Sequence, residues 1–79
     1  MRVRVKLFAT LRQHAPHAAA GLPFEVDLAE GATVAELIHH LNLPAEDVKI
    51  VYVNARAQPD DWRLGAGDEI GVFPPIGGG

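Results

Sequence analysis

Thr33-Val34-Ala35-Glu36-Leu37-Ile38-His39-His40-Leu41 is the strongest helix signal in the chain. Thr33 followed by Glu36 is a capping box, which ties up the orphan N–H groups of a helix start. Val34, Leu37, Ile38 and Leu41 recur at i, i+3, i+4 and i+7, one apolar stripe. The helix is expected to end near Asn42-Leu43, before Pro44. Upstream, Phe24-Glu25-Val26-Asp27-Leu28 alternates as a strand. Downstream, Lys49-Ile50-Val51-Tyr52-Val53 is an apolar strand, expected to be central and covered on both faces.

Working outward, Arg2-Val3-Arg4-Val5-Lys6-Leu7-Phe8 alternates strictly, a half-buried strand with Val3, Val5 and Leu7 facing in. Arg2, Arg4, Lys6 and Phe8 then face away. Ala9 to His14 is expected to make a short helical turn. Arg56-Ala57-Gln58 reads as a short extended stretch, and Glu69 to Phe73 as the last strand, with Ile70 and Val72 inward and Gly71 and Phe73 outward. One helix among several strands must cover one face of one mixed sheet, since nothing else is available to bury it; this is an α+β class domain. The crossover from the second strand through the helix to the third is expected to be right-handed.

The composition supports one small folded unit. The chain has 79 residues, 48% apolar and 22% charged, with a formal net charge of −3, which sets it apart from disordered sequences and leaves room for a single core. Cysteine is absent, which excludes thiol nucleophiles, iron–sulfur ligation and Cys-type zinc sites. Serine is absent too, excluding serine catalysis. The mild acidity argues against nucleic-acid binding. There is no membrane-length apolar run, and the charged N-terminus is not a signal peptide. The expected location is cytoplasmic. His14, His17, His39 and His40 read as surface residues, and no metal site is expected, since zinc needs three or four convergent ligands. Asp60-Asp61 and Glu46-Asp47 lie in turns, where Asp is favoured for backbone bonding. Trp62 is read as a lid on the core rather than a stacking platform.

The end of the chain differs from the rest. Pro74-Pro75-Ile76-Gly77-Gly78-Gly79 follows the last strand, and three of the eight glycines occupy the last three positions. Proline cannot donate to a ladder, so Pro74-Pro75 stops the sheet and launches the chain in an extended direction. Six residues reach roughly 20 Å at about 3.3–3.6 Å each. The expected division is therefore a folded body at 1–73 and a thin, flexible tail at 74–79 bearing a carboxylate on Gly79. Such a carboxylate can be activated by attack on the α-phosphate of ATP. To do so it must enter a narrow active site on another protein, where side chains on the last two residues would jam.

With strand, helix and tail placed, the chain resembles the sulfur-carrier proteins of the ubiquitin-like β-grasp superfamily, most nearly the small subunits of molybdopterin synthase. The matching pieces are Val5-Lys6-Leu7-Phe8-Ala9-Thr10-Leu11-Arg12, Thr33-Val34-Ala35-Glu36-Leu37, Tyr52-Val53-Asn54 and Gly67 through Gly79. The resemblance implies a mixed four- to five-stranded sheet covered by one main helix. It implies that an E1-like adenylating enzyme activates Gly79, that sulfur displaces AMP to leave a thiocarboxylate, and that the large subunit of molybdopterin synthase takes in the tail (Pro74, Pro75, Ile76, Gly77, Gly78). There the sulfur passes to precursor Z in molybdenum cofactor biosynthesis. ATP and any zinc belong to the E1-like partner, and the chain binds no cofactor and is not catalytic alone. Phe8, Ala57 and Phe73 are the implied partner interface. Ala57 stands where a larger apolar residue is expected, and the 14–23 loop departs from the pattern. Because first and last strands are neighbours in a β-grasp fold, Phe8 and Phe73 are expected to form an exposed aromatic pair at the tail root. Competing readings are a sulfur carrier for thiamine or another metabolite, a ubiquitin-like protein modifier joined through Gly79, and a plain interaction domain.

Overall fold

The computed structural model describes residues 1–15 and 21–75. His17 and the tail residues Ile76, Gly77, Gly78 and Gly79 lie outside the described residues. Among the described residues, five strands and one α-helix form in the order β1 (Arg2–Leu7), β2 (Phe24–Asp27), α1 (Val34–His40), β3 (Ile50–Val53), β4 (Arg56–Ala57) and β5 (Glu69–Phe73), with 3₁₀ turns at Ala9–His14 and Ala45–Asp47. The strands make one sheet in the order β2-β1-β5-β3-β4. β1 runs parallel to β5, pairing Arg4 with Glu69 through Leu7 with Val72. The β1–β2, β3–β5 and β3–β4 pairs are antiparallel. This is a ubiquitin-like β-grasp, α+β architecture.

The alternation seen in the sequence sets the two faces of the sheet. Val3, Val5, Leu7, Val26, Val51, Val53, Ile70 and Val72 are buried under α1, which contributes Val34, Leu37 and Ile38; Leu11, Leu43 and Leu64 close the periphery. Every buried side chain among the described residues is apolar. Leu41 at the end of the stripe is half-buried, and Leu43 beyond the helix is the residue that reaches the core.

The start of α1 is satisfied at all four orphan positions. Thr33 N–H donates to Glu36 Oε1 at 3.0 Å, and Glu36 N–H donates to Thr33 Oγ1 at 3.2 Å. Between them, Val34 N–H donates to the Trp62 carbonyl (3.0 Å) and Ala35 N–H to the Asp60 carbonyl (2.9 Å). The capping box supplies two partners and a distant loop supplies the other two.

Two expectations are corrected. Trp62 is no lid: it is 43% exposed. Its segment is held by its backbone, through the carbonyl that caps α1 and the neighbouring Thr33–Arg63 bridge, and Leu64 fills the core position. Nor is β3 covered on both faces. It lies one place in from the sheet edge, and its burial alternates, with Val51 and Val53 inward and Ile50 and Tyr52 half-exposed on the far side. No helix among the described residues is long and apolar enough to cross a membrane.

Candidate docking surface at the tail root

Among the described residues the sheet face opposite α1 has no covering helix or strand, so the outward residues of β1, β5, β3 and β4 form a surface of their own. Register places Ala57 beside Tyr52, Tyr52 beside Gly71, and Gly71 beside Lys6 in one row across four strands. In the next row Phe73 pairs with Ile50, and Phe8, just past β1, donates its N–H to the Val72 carbonyl at 3.0 Å. The Phe8 and Phe73 rings stack with centroids 4.0 Å apart and planes 10° from parallel. Tyr52 meets Phe73 edge-on at 5.4 Å. The structure thus brings Phe8 and Phe73 together; Ala57 shares their face, set apart from them by Tyr52, and is exposed at the edge.

Gly71 makes this cluster possible. A Cβ on Gly71 would lie 3.2 Å from Phe8 Cε1 and 3.4 Å from Phe73 Cε1, a spacing at which one ring has to move. A glycine inside a strand weakens it unless something must approach closely, and here the two rings lie over it. β5 ends immediately after: the Phe73 carbonyl accepts from Lys49 N–H at 2.8 Å. Pro74 and Pro75 follow with no N–H to continue the ladder. Pro74 therefore follows directly on the aromatic stack.

Charge divides the face into two zones. Arg2 is satisfied by Asp27 at 2.9 Å and Glu25 at 3.5 Å. The hydrogen bond from Arg2, with its positive charge, holds the Asp27 carboxyl below the ordinary carboxylate range, and Asp27 in turn raises the Arg2 guanidinium. Arg4 and Lys6 have no carboxylate within 4.0 Å among the described residues, whose ion pairs all involve Arg2 or the N-terminus. The Lys6 ammonium instead lies 5.0 Å from the Phe8 ring centroid, within cation–π range. Arg4, Lys6, Phe8, Tyr52, Glu69, Gly71 and Phe73 line one open depression. No three His, Asp or Glu side chains converge among the described residues. Such a surface offers apolar contact and positive charge, the means of binding another protein.

The alternation places Lys6 and Gly71 on this outward face, as the structure finds them; Tyr52 is the member that sequence reasoning misses. Tyr52 was hidden by reading β3 as buried on both faces. What the alternation does not give is the role of Gly71 beneath the two rings, for which a glycine inside a strand with an aromatic two residues on is the usable signal.

A ubiquitin-like domain with an aromatic face at its tail root is the class the geometry defines. The ThiS family model matches residues 5–79. The chain belongs to that family, one of ubiquitin-like sulfur carriers. Among solved structures it is similar to a Pyrococcus furiosus protein assigned as molybdopterin converting factor, subunit 1, with 35% identity over 95% of this chain and 98% of that one, TM-score 0.73. It is similar to small archaeal modifier protein 1 of Haloferax volcanii, at 25% identity over 95% and 98%, TM-score 0.73. It also shares the fold of a Helicobacter pylori complex of subunits 1 and 2 of molybdopterin-converting factor, at 21% identity over 100% of each chain, TM-score 0.63. No curated protein matches the sequence.

Proposed function

We propose that this chain is a cytoplasmic sulfur carrier whose working group is the carboxylate of Gly79, and that it serves as the small subunit of molybdopterin synthase. In this reading an E1-like enzyme, which holds the ATP and any zinc, lets the carboxylate attack the α-phosphate, and pyrophosphate leaves. A sulfur donor then displaces AMP, leaving a thiocarboxylate. The large subunit takes in residues 74–79, and the sulfur passes to precursor Z. The observation that carries the reading is the family match, which runs from residue 5 through the glycine end at 79. The 35% identity to the Pyrococcus furiosus protein favours the molybdopterin branch, and the Helicobacter pylori complex of subunits 1 and 2 is a precedent for the partner. The body's role is to be gripped, and the stacked Phe8–Phe73 pair beside Pro74 is the surface offered for it.

Coexpression with an E1-like enzyme and a sulfur source, followed by intact mass measurement, tests the carrier chemistry. An oxygen-to-sulfur mass increase that disappears when Gly79 is deleted is the expected result; no increase under any condition sinks the reading. Stable co-purification with the large synthase subunit selects the molybdopterin pathway over thiamine. A second reading, a protein modifier joined through Gly79 to lysines, is favoured by the likeness to the Haloferax volcanii modifier. It predicts high-molecular-weight conjugates that survive denaturation.

A further inference from the structure

We infer that Arg4 and Lys6 select an acidic docking site, and that Gly71 positions the aromatic stack that enters it. The partner's identity, an E1-like adenylating enzyme, rests on the carrier reading; the chemistry of its surface does not. Lys6 is held against the Phe8 ring, 5.0 Å from its centroid. Any protein that covers the stack therefore also covers the Lys6 ammonium. Burying a charge without a counter-charge is costly. Lys6 and Arg4 have no ion pair of their own among the described residues, so the partner has to supply the carboxylates. Glu69, which borders the same depression and sits beside Arg4 in the register, makes no ion pair with it, so the zone keeps an excess of positive charge in a chain of net charge −3. The matching surface is an apolar side chain laid on the rings, flanked by Asp or Glu. Gly71 acts through Phe8 and Phe73: a methyl at its Cβ position, 3.2 and 3.4 Å from the two rings, obliges a ring to shift by a few tenths of an ångström and so alters the surface the stack presents.

The test uses the full chain with the E1-like enzyme in two assays, direct binding and ATP–pyrophosphate exchange, at low and high salt. The Arg4→Gln/Lys6→Gln double variant should raise Kd and KM roughly three- to tenfold at low salt with kcat unchanged, the difference shrinking as salt rises. Gly71→Ala should raise both at every salt concentration, again with kcat unchanged. Both variants sit on the sheet face opposite α1, and a thermal melt reports whether they fold. Should the double variant fold and match the parent in Kd, KM and salt dependence, the acidic-site inference is overturned, whatever Gly71→Ala does. If the double variant behaves as expected but a folded Gly71→Ala chain binds like the parent, the positioning role falls, and the stack merely shields the glycine backbone. Salt-sensitive binding without any exchange by the parent keeps the docking inference and removes the carrier reading. Exchange at parental KM by the double variant does the reverse. Failure of the parent chain to bind removes both.

Discussion

Ala55 holds a backbone conformation that suits a different residue. The two-residue turn between β3 and β4 has φ 50° at Asn54 and 71° at Ala55, the left-handed pair that favours Asn-Gly. Asn54 fits, and its side chain is also used: Nδ2–H donates to Asp68 and Oδ1 accepts from Glu69 N–H, each at 3.0 Å. Ala55 carries a Cβ penalty with no compensating contact of that kind. Ala55→Gly should therefore stabilise the domain by about 0.5–1 kcal/mol, after allowing for the greater freedom of glycine in the unfolded chain; urea unfolding measures it. At Asp27 the expected effect depends on pH. Its carboxyl is lowered in the folded state by Arg2, so its contribution is present above the unfolded pKa and fades as pH falls through the folded value. Asp27→Asn should flatten the acid limb of the stability–pH profile by lowering stability slightly in the neutral region while leaving it unchanged below the folded value, as urea unfolding across pH would show. Both groups are solvent-exposed, so the effect is small.

At the scale of elements, α1 is short, seven residues, and a helix of that length depends on its cap and its packing. Thr33→Ala removes one acceptor of the capping box and should cost about 1 kcal/mol in chemical denaturation. Leu37 is fully buried, and Leu37→Ala should cost about 2–5 kcal/mol, a large part of what a domain of this size possesses. This helix was legible in the sequence because its signals are local: a cap, a stripe and a proline beyond. The alternation of β1 and β5 was legible for the same reason, and it placed Phe8 and Phe73 on one face. What the sequence could not show was non-local. The burial of β3 depends on a sheet order that sets it near an edge, and the exposure of Trp62 on its carbonyl being needed by a helix start nearly thirty residues earlier. Trp62 looks like core material by side chain alone; its backbone decides the matter.

For the molecule as a whole, the body and the last residue have separable roles in the proposed function. Gly79→Trp should leave the melting temperature unchanged while abolishing thiocarboxylate formation, read by intact mass. Parallel pairing of the first strand with the last, in the middle of the sheet, has a mechanical consequence. A pull that draws β5 outward through Phe73 while β1 is held at Arg2 loads the Arg4–Glu69 to Leu7–Val72 pairs together, in shear, rather than peeling them one at a time. An enzyme hauling on the chain's end meets a rivet rather than a zipper, and force spectroscopy along this axis should show a single high rupture event.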